Sequence, residues 1–195
     1  MDISTIFLLS IYAMLINNVV LMQFLGICPF LGVSKKTETA LGMGMAVIFV
    51  MTLATAFTWI VELGILVPLD LVFLRTIAFI LIIASLVQFV EIFMKKMIPA
   101  LYRSLGIYLP LITTNCAILG TAIVAVQKQY SFVTSLVFAV ATGIGFLIAI
   151  VMFASIRERL DVADIPDAFK GVPAALITAS ILSMAFMGFA GLVKM

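Results

Sequence analysis

The sequence predicts an all-α integral membrane protein with six transmembrane helices, arranged as a 3+3 inverted repeat in which helices one and four are interrupted. The first observation is composition: 65% of the residues are apolar, 10% are charged, and the mean hydropathy is +1.36. A soluble domain has about 45–50% apolar and about 25% charged residues. The other two observations are six long apolar segments and a Cys-x-x-Leu-Gly pattern that occurs in the first and the fourth of them.

Each apolar segment is long enough for one helical crossing, which takes about 20 residues. The six segments lie at 4–32, 40–66, 71–94, 97–126, 131–156 and 172–193. The start of the chain lacks the basic region of a signal peptide, so we expect segment one to remain as a membrane helix. Because six crossings use most of the 195 residues, we expect a single membrane domain over 1–195, with repeats at about 1–95 and about 96–195.

The basic residues predict the orientation of the chain in the membrane. The loops after segments one, three and five share one side, and the two termini share the other. Cytoplasmic loops are enriched in Lys and Arg. The first side has eight basic residues and the second has three, namely Lys35, Lys36, Lys95, Lys96, Arg103, Arg157, Arg159 and Lys170 against Arg75, Lys128 and Lys194. We therefore expect both termini outside and the loop over 156–172 in the cytoplasm.

Segments one and four are interrupted at matching positions. The Cys-x-x-Leu-Gly pattern begins at Cys28 in segment one and at Cys116 in segment four. Pro29 removes a backbone N–H and disfavours a helical conformation of the preceding residue, so we expect the first helix to break at the thiol. Broken helices at corresponding positions of inverted halves are typical of a site near the membrane midplane.

Several classes of chemistry are excluded by what the sequence lacks. It contains no histidine, which removes Ser-His-Asp catalysis, imidazole metal sites and histidine proton relays within this chain. No phosphate-binding loop pattern is present. The net charge of +2 is too small to indicate a nucleic-acid partner.

The two cysteines leave three interpretations open. Each could be an ordinary apolar packing residue, which is common for a buried thiol, and a disulfide between them is the second possibility. The third is soft-metal ligation, because two thiols at equivalent points of a repeat would face each other and a metal would take the charge of the thiolates. Iron–sulfur clusters normally take four cysteines, so the other two would have to come from another chain. Such a buried cluster would carry electrons.

Polar residues flank both interruptions. Asn17, Asn18, Thr114 and Asn115 are candidates to hydrogen-bond cluster sulfurs or to contact a passing cation. The simpler interpretation, which we favour, is that these side chains bind backbone groups freed by the breaks. Glu62 falls near the end of segment two, where we expect it to be solvated.

Several segments resemble the RnfA/NqrE family. They are Asn17 to Val20, Phe24 to Lys36, Leu109 to Ala117, Ser155 to Leu160 and Met184 to Phe189. The resemblance covers nearly the whole chain, and the segment Leu101 to Gly106 is closest to the Rnf branch. It implies a bacterial inner-membrane subunit of a ferredoxin:NAD oxidoreductase complex that moves Na⁺ or H⁺. In that family Cys28 and Cys116 would supply two ligands of an intramembrane [2Fe-2S] cluster that relays electrons across the membrane.

The resemblance also implies which partners complete the complex. The other half of the cluster would come from the homologous subunit RnfE, and the remaining subunits would be RnfB, RnfC, RnfD and RnfG. The flavins and the NAD site would belong to those other subunits. The alternatives are the equivalent subunit of a Na⁺-translocating NADH:quinone reductase, a small secondary transporter without a redox cofactor, and a membrane anchor.

Overall fold

The computed structural model describes residues 3–68, 70, 72–97, 109–164, 166 and 169–188. Over these residues the chain is helical, with no β-strand. The predicted all-α class is therefore confirmed. Two parts of the predicted segments lie outside the described residues. They are residues 98–108 of segment four, which include Arg103, and residues 189–193 of segment six.

Segment one forms two helical pieces with an irregular stretch between them. Helix α1 spans Ile3–Ile11 and continues into a π-helical turn, Tyr12–Ile16. Residues 17–26 form turns, and α2 spans Ile27–Val33. The interruption predicted in this segment is present, although it precedes the thiol.

The following segments form longer helices. Helix α3 spans Thr37–Val61 and passes into a second π-helical turn, Glu62–Leu66, and α4 spans Arg75–Met97. Segment four contains α5, Leu109–Thr113, and α6, Cys116–Gln127. The last two helices are α7, Phe132–Val162, and α8, Val172–Met187.

Four stretches within the described residues are long and apolar enough to cross a membrane: Thr37–Leu66, Arg75–Ile92, Pro110–Gln127 and Phe132–Val162. Two apolar helices are shorter, Ile6–Ile16 and Val172–Met187. The chain is thus a multi-pass membrane protein. The six-span inverted repeat stays a prediction.

The centre of the fold is an antiparallel pair formed by α3 and α7. Glycines let the two backbones approach closely, since a Cβ at Gly143 would lie 2.9 Å from Ile48 and one at Gly44 would overlap the Leu147 side chain. Gly145 is equally close to the first segment, where its Cβ would lie 2.8 Å from the Met14 carbonyl oxygen. The glycines of segment five therefore act as close packing contacts.

Residues 156–162 of the predicted cytoplasmic loop are helical, because α7 continues to Val162, and the side of the membrane on which the loop lies stays a prediction. This extension contacts the end of α2, the residue after it and the start of α3. Arg157 donates hydrogen bonds to the Leu31 carbonyl oxygen at 2.8 Å and to the Ser34 hydroxyl at 3.1 Å. Glu158 accepts one from the Thr37 backbone N–H at 2.7 Å.

Candidate functional site: two helix interruptions that meet

The first interruption is organised by Asn18, which is fully buried. Its side-chain oxygen accepts hydrogen bonds from the backbone N–H groups of Val20 at 3.0 Å and Leu21 at 3.3 Å. Its side-chain nitrogen donates to the Gly145 carbonyl oxygen of α7 at 2.8 Å. Asn18 thus replaces the helical hydrogen bonds that this stretch lacks and ties the stretch to the central helix pair. Asn17 is partly buried beside it.

The turn that ends this interruption depends on two positive φ angles. Phe24 has φ 56° and Gly26 has φ 81°, and α2 begins at the next residue. Cys28 is the second residue of α2, so the prediction of a break at the thiol is wrong by a few residues. Pro29 lies in the first turn of α2, where its missing N–H removes no hydrogen bond of the helix.

The second interruption is short and lies directly before its cysteine. Thr114 and Asn115 separate α5 from α6, which begins at Cys116. The Asn115 side-chain oxygen accepts a hydrogen bond from the Ala117 backbone N–H at 3.0 Å and so caps α6. The Thr114 hydroxyl donates to the Pro110 carbonyl oxygen at 3.1 Å. Like Asn18, both side chains bind backbone groups near the break.

The two interruptions contact each other. The Gly26 backbone N–H donates a hydrogen bond to the Cys116 Sγ at 2.9 Å, although the two residues are 90 positions apart. A Cβ at Gly26 would lie 3.1 Å from the Ala117 Cβ and 3.2 Å from the Asn115 Oδ1. Glycine is therefore required here both by φ and by space.

Both thiols are free and lie at the surface of the chain. No disulfide joins them. Cys116 lies at the N-terminus of the 12-residue helix α6, and its Sγ accepts the hydrogen bond from the Gly26 N–H. The Asn115 side-chain nitrogen is buried one residue away, with no hydrogen-bond partner among the described residues.

The donor set is half of what a metal cluster needs. The chain has two cysteines and no histidine, and the described residues contain no group of three or more His, Cys, Asp or Glu side chains that could hold a metal ion. Two surface thiols with N–H donors nearby fit a site that a second chain completes.

A second polar feature lies where α3 ends, and it corrects the expectation for Glu62. This side chain is buried, with 4% exposure, and it pairs with Arg75 at the start of α4. The sequence shows a Glu near a segment end. Its burial follows from the π-helical turn and from Arg75, which sequence spacing does not connect to it.

The fold and the site define a class of protein: a multi-pass membrane protein with two surface thiols at interrupted helices. The chain belongs to the Rnf-Nqr family, described as "Rnf-Nqr subunit, membrane protein", which it matches over residues 6–193.

Similar proteins are named as subunits of an "Ion-translocating oxidoreductase complex", each with the designation A. The one from Syntrophotalea carbinolica is 60% identical over 186 residues, covering 95% of this chain and 96% of the relative. The one from Cronobacter sakazakii is 58% identical over 187 residues, covering 96% and 97%. The one from Serratia proteamaculans is 59% identical over 187 residues, with the same coverage.

Proposed function

We propose that this chain is a membrane subunit of an ion-translocating ferredoxin:NAD oxidoreductase complex, in which Cys28 and Cys116 ligate one half of an intramembrane [2Fe-2S] cluster. The relatives' shared name supports the complex and its redox and ion-translocating activity. The observation that carries the cluster assignment is the contact between the two interruptions, with the Gly26 N–H on the Cys116 Sγ.

The residues of this chain would hold the cluster by lowering the cost of two thiolates at membrane depth. An uncompensated charge in apolar surroundings is expensive. The Gly26 N–H donates to one sulfur, and the N-terminus of α6 adds favourable potential. The buried Asn115 side-chain nitrogen is a further donor beside Cys116. When bound, the cluster supplies one-electron transfer, and this chain contributes ligands and electrostatic stabilisation.

The exposure of both thiols supports a shared cluster. A homologous partner, RnfE, with the same pair of cysteines would complete four ligands across the interface. The proposal includes a single six-span domain, with inverted repeats at about 1–95 and about 96–195 and both termini outside the bacterial inner membrane. RnfB, RnfC, RnfD and RnfG would hold the flavins, the NAD site and the other centres.

Ion movement would follow from a conformational change in the pair formed by this chain and RnfE. We infer that oxidation or reduction of the shared centre changes which side of the membrane the interrupted helices open to, and that Na⁺ or H⁺ moves as a result. Asn17, Asn18 and Thr114 lie at the breaks where such a change would act, and Asn18 links one break to α7.

The test is the iron and acid-labile sulfide content of the purified complex. Cys28→Ser and Cys116→Ser should each lower both contents by the equivalent of one [2Fe-2S] cluster per complex. Thr114→Ser is the matched control, because it alters the same interruption and leaves both thiols in place. Wild-type content in both cysteine variants would refute the ligand assignment.

The same variants separate the electron carrier from a transporter without a cofactor. A transporter would keep ion uptake in Cys28→Ser and lose it in Asn18 or Asn115 variants. The proposed subunit should lose electron transfer and ion uptake together in Cys28→Ser. A membrane anchor would keep both activities whenever the complex assembles.

A further inference from the structure

The ion pair between Glu62 and Arg75 has an unusual geometry. Arg75 donates from Nε at 2.9 Å and also from Nη2, and both bonds go to the same carboxylate oxygen, Oε1. Arginine–carboxylate pairs are frequently bidentate, with one donor to each oxygen. Here Oε2 is buried and has no hydrogen-bond partner among the described residues. Half of a buried carboxylate is therefore unsatisfied, which calls for a physical explanation.

The helix that carries Glu62 presents further oxygen atoms on the same face. Thr55 and Thr58 precede Glu62 by seven and four residues, on the same side of the helix, and the Thr58 hydroxyl donates to the Ala54 carbonyl oxygen at 2.7 Å. Thr55 is 1% exposed, and its hydroxyl also has no hydrogen-bond partner among the described residues. Glu62 begins the second π-helical turn, and such turns are frequent at functional sites.

Trp59, on α3, contacts the start of α7 and the residues just before it. Trp59 donates from its ring nitrogen to the Tyr130 carbonyl oxygen at 3.1 Å and packs edge-on against Phe132 at 5.1 Å. Thr134 and Ser135 are buried on the next turn. These two buried hydroxyl groups therefore lie near the same end of α3.

A cavity of about 420 Å³ gives access to this region. Its polar lining includes Glu62, Arg75, Gln129 and Ser131, and Trp59 lies in its wall. Among the described lining residues, the charged or titratable groups are Glu62, Arg75 and Tyr130. The carboxylate is the one anionic group in that set.

We propose that the Glu62 carboxylate, in the wall of this cavity, forms a binding site for a monovalent cation, Na⁺ or H⁺, an inference that rests on the proposed function. Oxygen atoms from a carboxylate and hydroxyl groups are the ligands that hard cations take. A buried ionisable side chain within an apolar span indicates such a role. Without a bound cation, Arg75 balances the charge of the carboxylate. When the cation binds the carboxylate, the guanidinium leaves Oε1 and turns into the cavity. The carboxylate therefore has one positive partner in both states. The site shares no residue with the two cysteines.

Trp59 provides a local probe, because it is the one tryptophan of the chain. The complex would be labelled with 5-fluorotryptophan, and the Trp59 signal in the ¹⁹F NMR spectrum would be assigned by its loss in Trp59→Phe. Na⁺ would be titrated against choline at constant ionic strength, and a pH series would be recorded in choline alone. A saturable shift with Na⁺ identifies an alkali-cation site, and a shift with pH alone identifies a proton site.

Three variants decide the outcome. Glu62→Gln should abolish the response, and Thr55→Val, which removes a hydroxyl that does not line the cavity, should respond like the wild type. Glu38→Gln is the matched control, because Glu38 is an exposed acidic residue in the first turn of the same helix, and it should respond like the wild type. A Trp59 signal that responds to neither Na⁺ nor pH, or that responds equally in Glu62→Gln and Thr55→Val, would overturn the proposal. Iron content measured on the same samples reports on the cluster separately.

Discussion

Adding one methyl group at Gly26 should disturb the point where the two interruptions meet. Gly26 has φ 81°, and the new Cβ of Gly26→Ala would lie 2.9 Å from Phe146 and 3.1 Å from the Ala117 Cβ. Those neighbours belong to α6 and α7, and Phe146 and Ala117 are fully buried. The strain therefore cannot be relieved by moving one exposed side chain.

Two costs add up in this variant. A left-handed conformation costs an alanine about 1–2 kcal/mol, and overpacking a well-packed site costs about 1–3 kcal/mol. A central value of about 3.5 kcal/mol corresponds to a fall in Tm of roughly 7–14 °C for a chain of this size. Any relaxation should also lengthen the bond between the Gly26 N–H and the Cys116 Sγ.

The measurement is the thermal unfolding midpoint of this subunit in the purified complex. Gly64→Ala is the matched control, because a Cβ there would meet nothing within 4 Å and φ is not positive. We expect Gly64→Ala to unfold near the wild-type temperature. A Gly26→Ala midpoint within about 2 °C of the control would correspond to less than about 1 kcal/mol and would refute the packing argument.

Three further changes test other contacts by the same thermal measurement. Asn18→Ala should destabilise the subunit by about 3 kcal/mol, because it leaves several buried backbone groups unpaired; a loss below about 1 kcal/mol would contradict the role of Asn18 in the first break. Arg157→Ala should cost about 1–2 kcal/mol by freeing the Leu31 carbonyl oxygen, and hydrogen exchange of α2 should increase, whereas unchanged exchange would argue against this link. Trp59→Phe should cost about 1 kcal/mol through the lost bond to the Tyr130 carbonyl oxygen, and a stability equal to wild type would show that water replaces it.

Hydropathy and chain breakers predict much of this fold. The apolar segments coincide with helices because a membrane requires every backbone group to bond internally. The interruption before Cys116 follows from local sequence, since Asn115 is a good helix cap. The interruption near Cys28 begins earlier than expected because Asn18 bonds to Gly145, 127 residues away. No local sequence pattern predicts a contact between residues so far apart in the chain.

Charged residues near segment ends are harder to predict. Arg157 and Glu158 have the composition of a solvated loop, yet they lie in α7, where Arg157 contacts α2 and Glu158 contacts the start of α3. Glu62 lies near a segment end, where water is the ordinary expectation. Its burial depends on the π-helical turn and on Arg75. In both cases a tertiary partner decides the environment of the charge.

Electron paramagnetic resonance of the reduced complex tests the central claim most directly. After dithionite reduction the wild type and Thr114→Ser should show the signal of a [2Fe-2S] centre that both Cys28→Ser and Cys116→Ser lack, with all subunits still assembled. If that signal is missing from the wild type, or persists in both cysteine variants, the two thiols are packing residues and the electron-carrier function of this chain is contradicted.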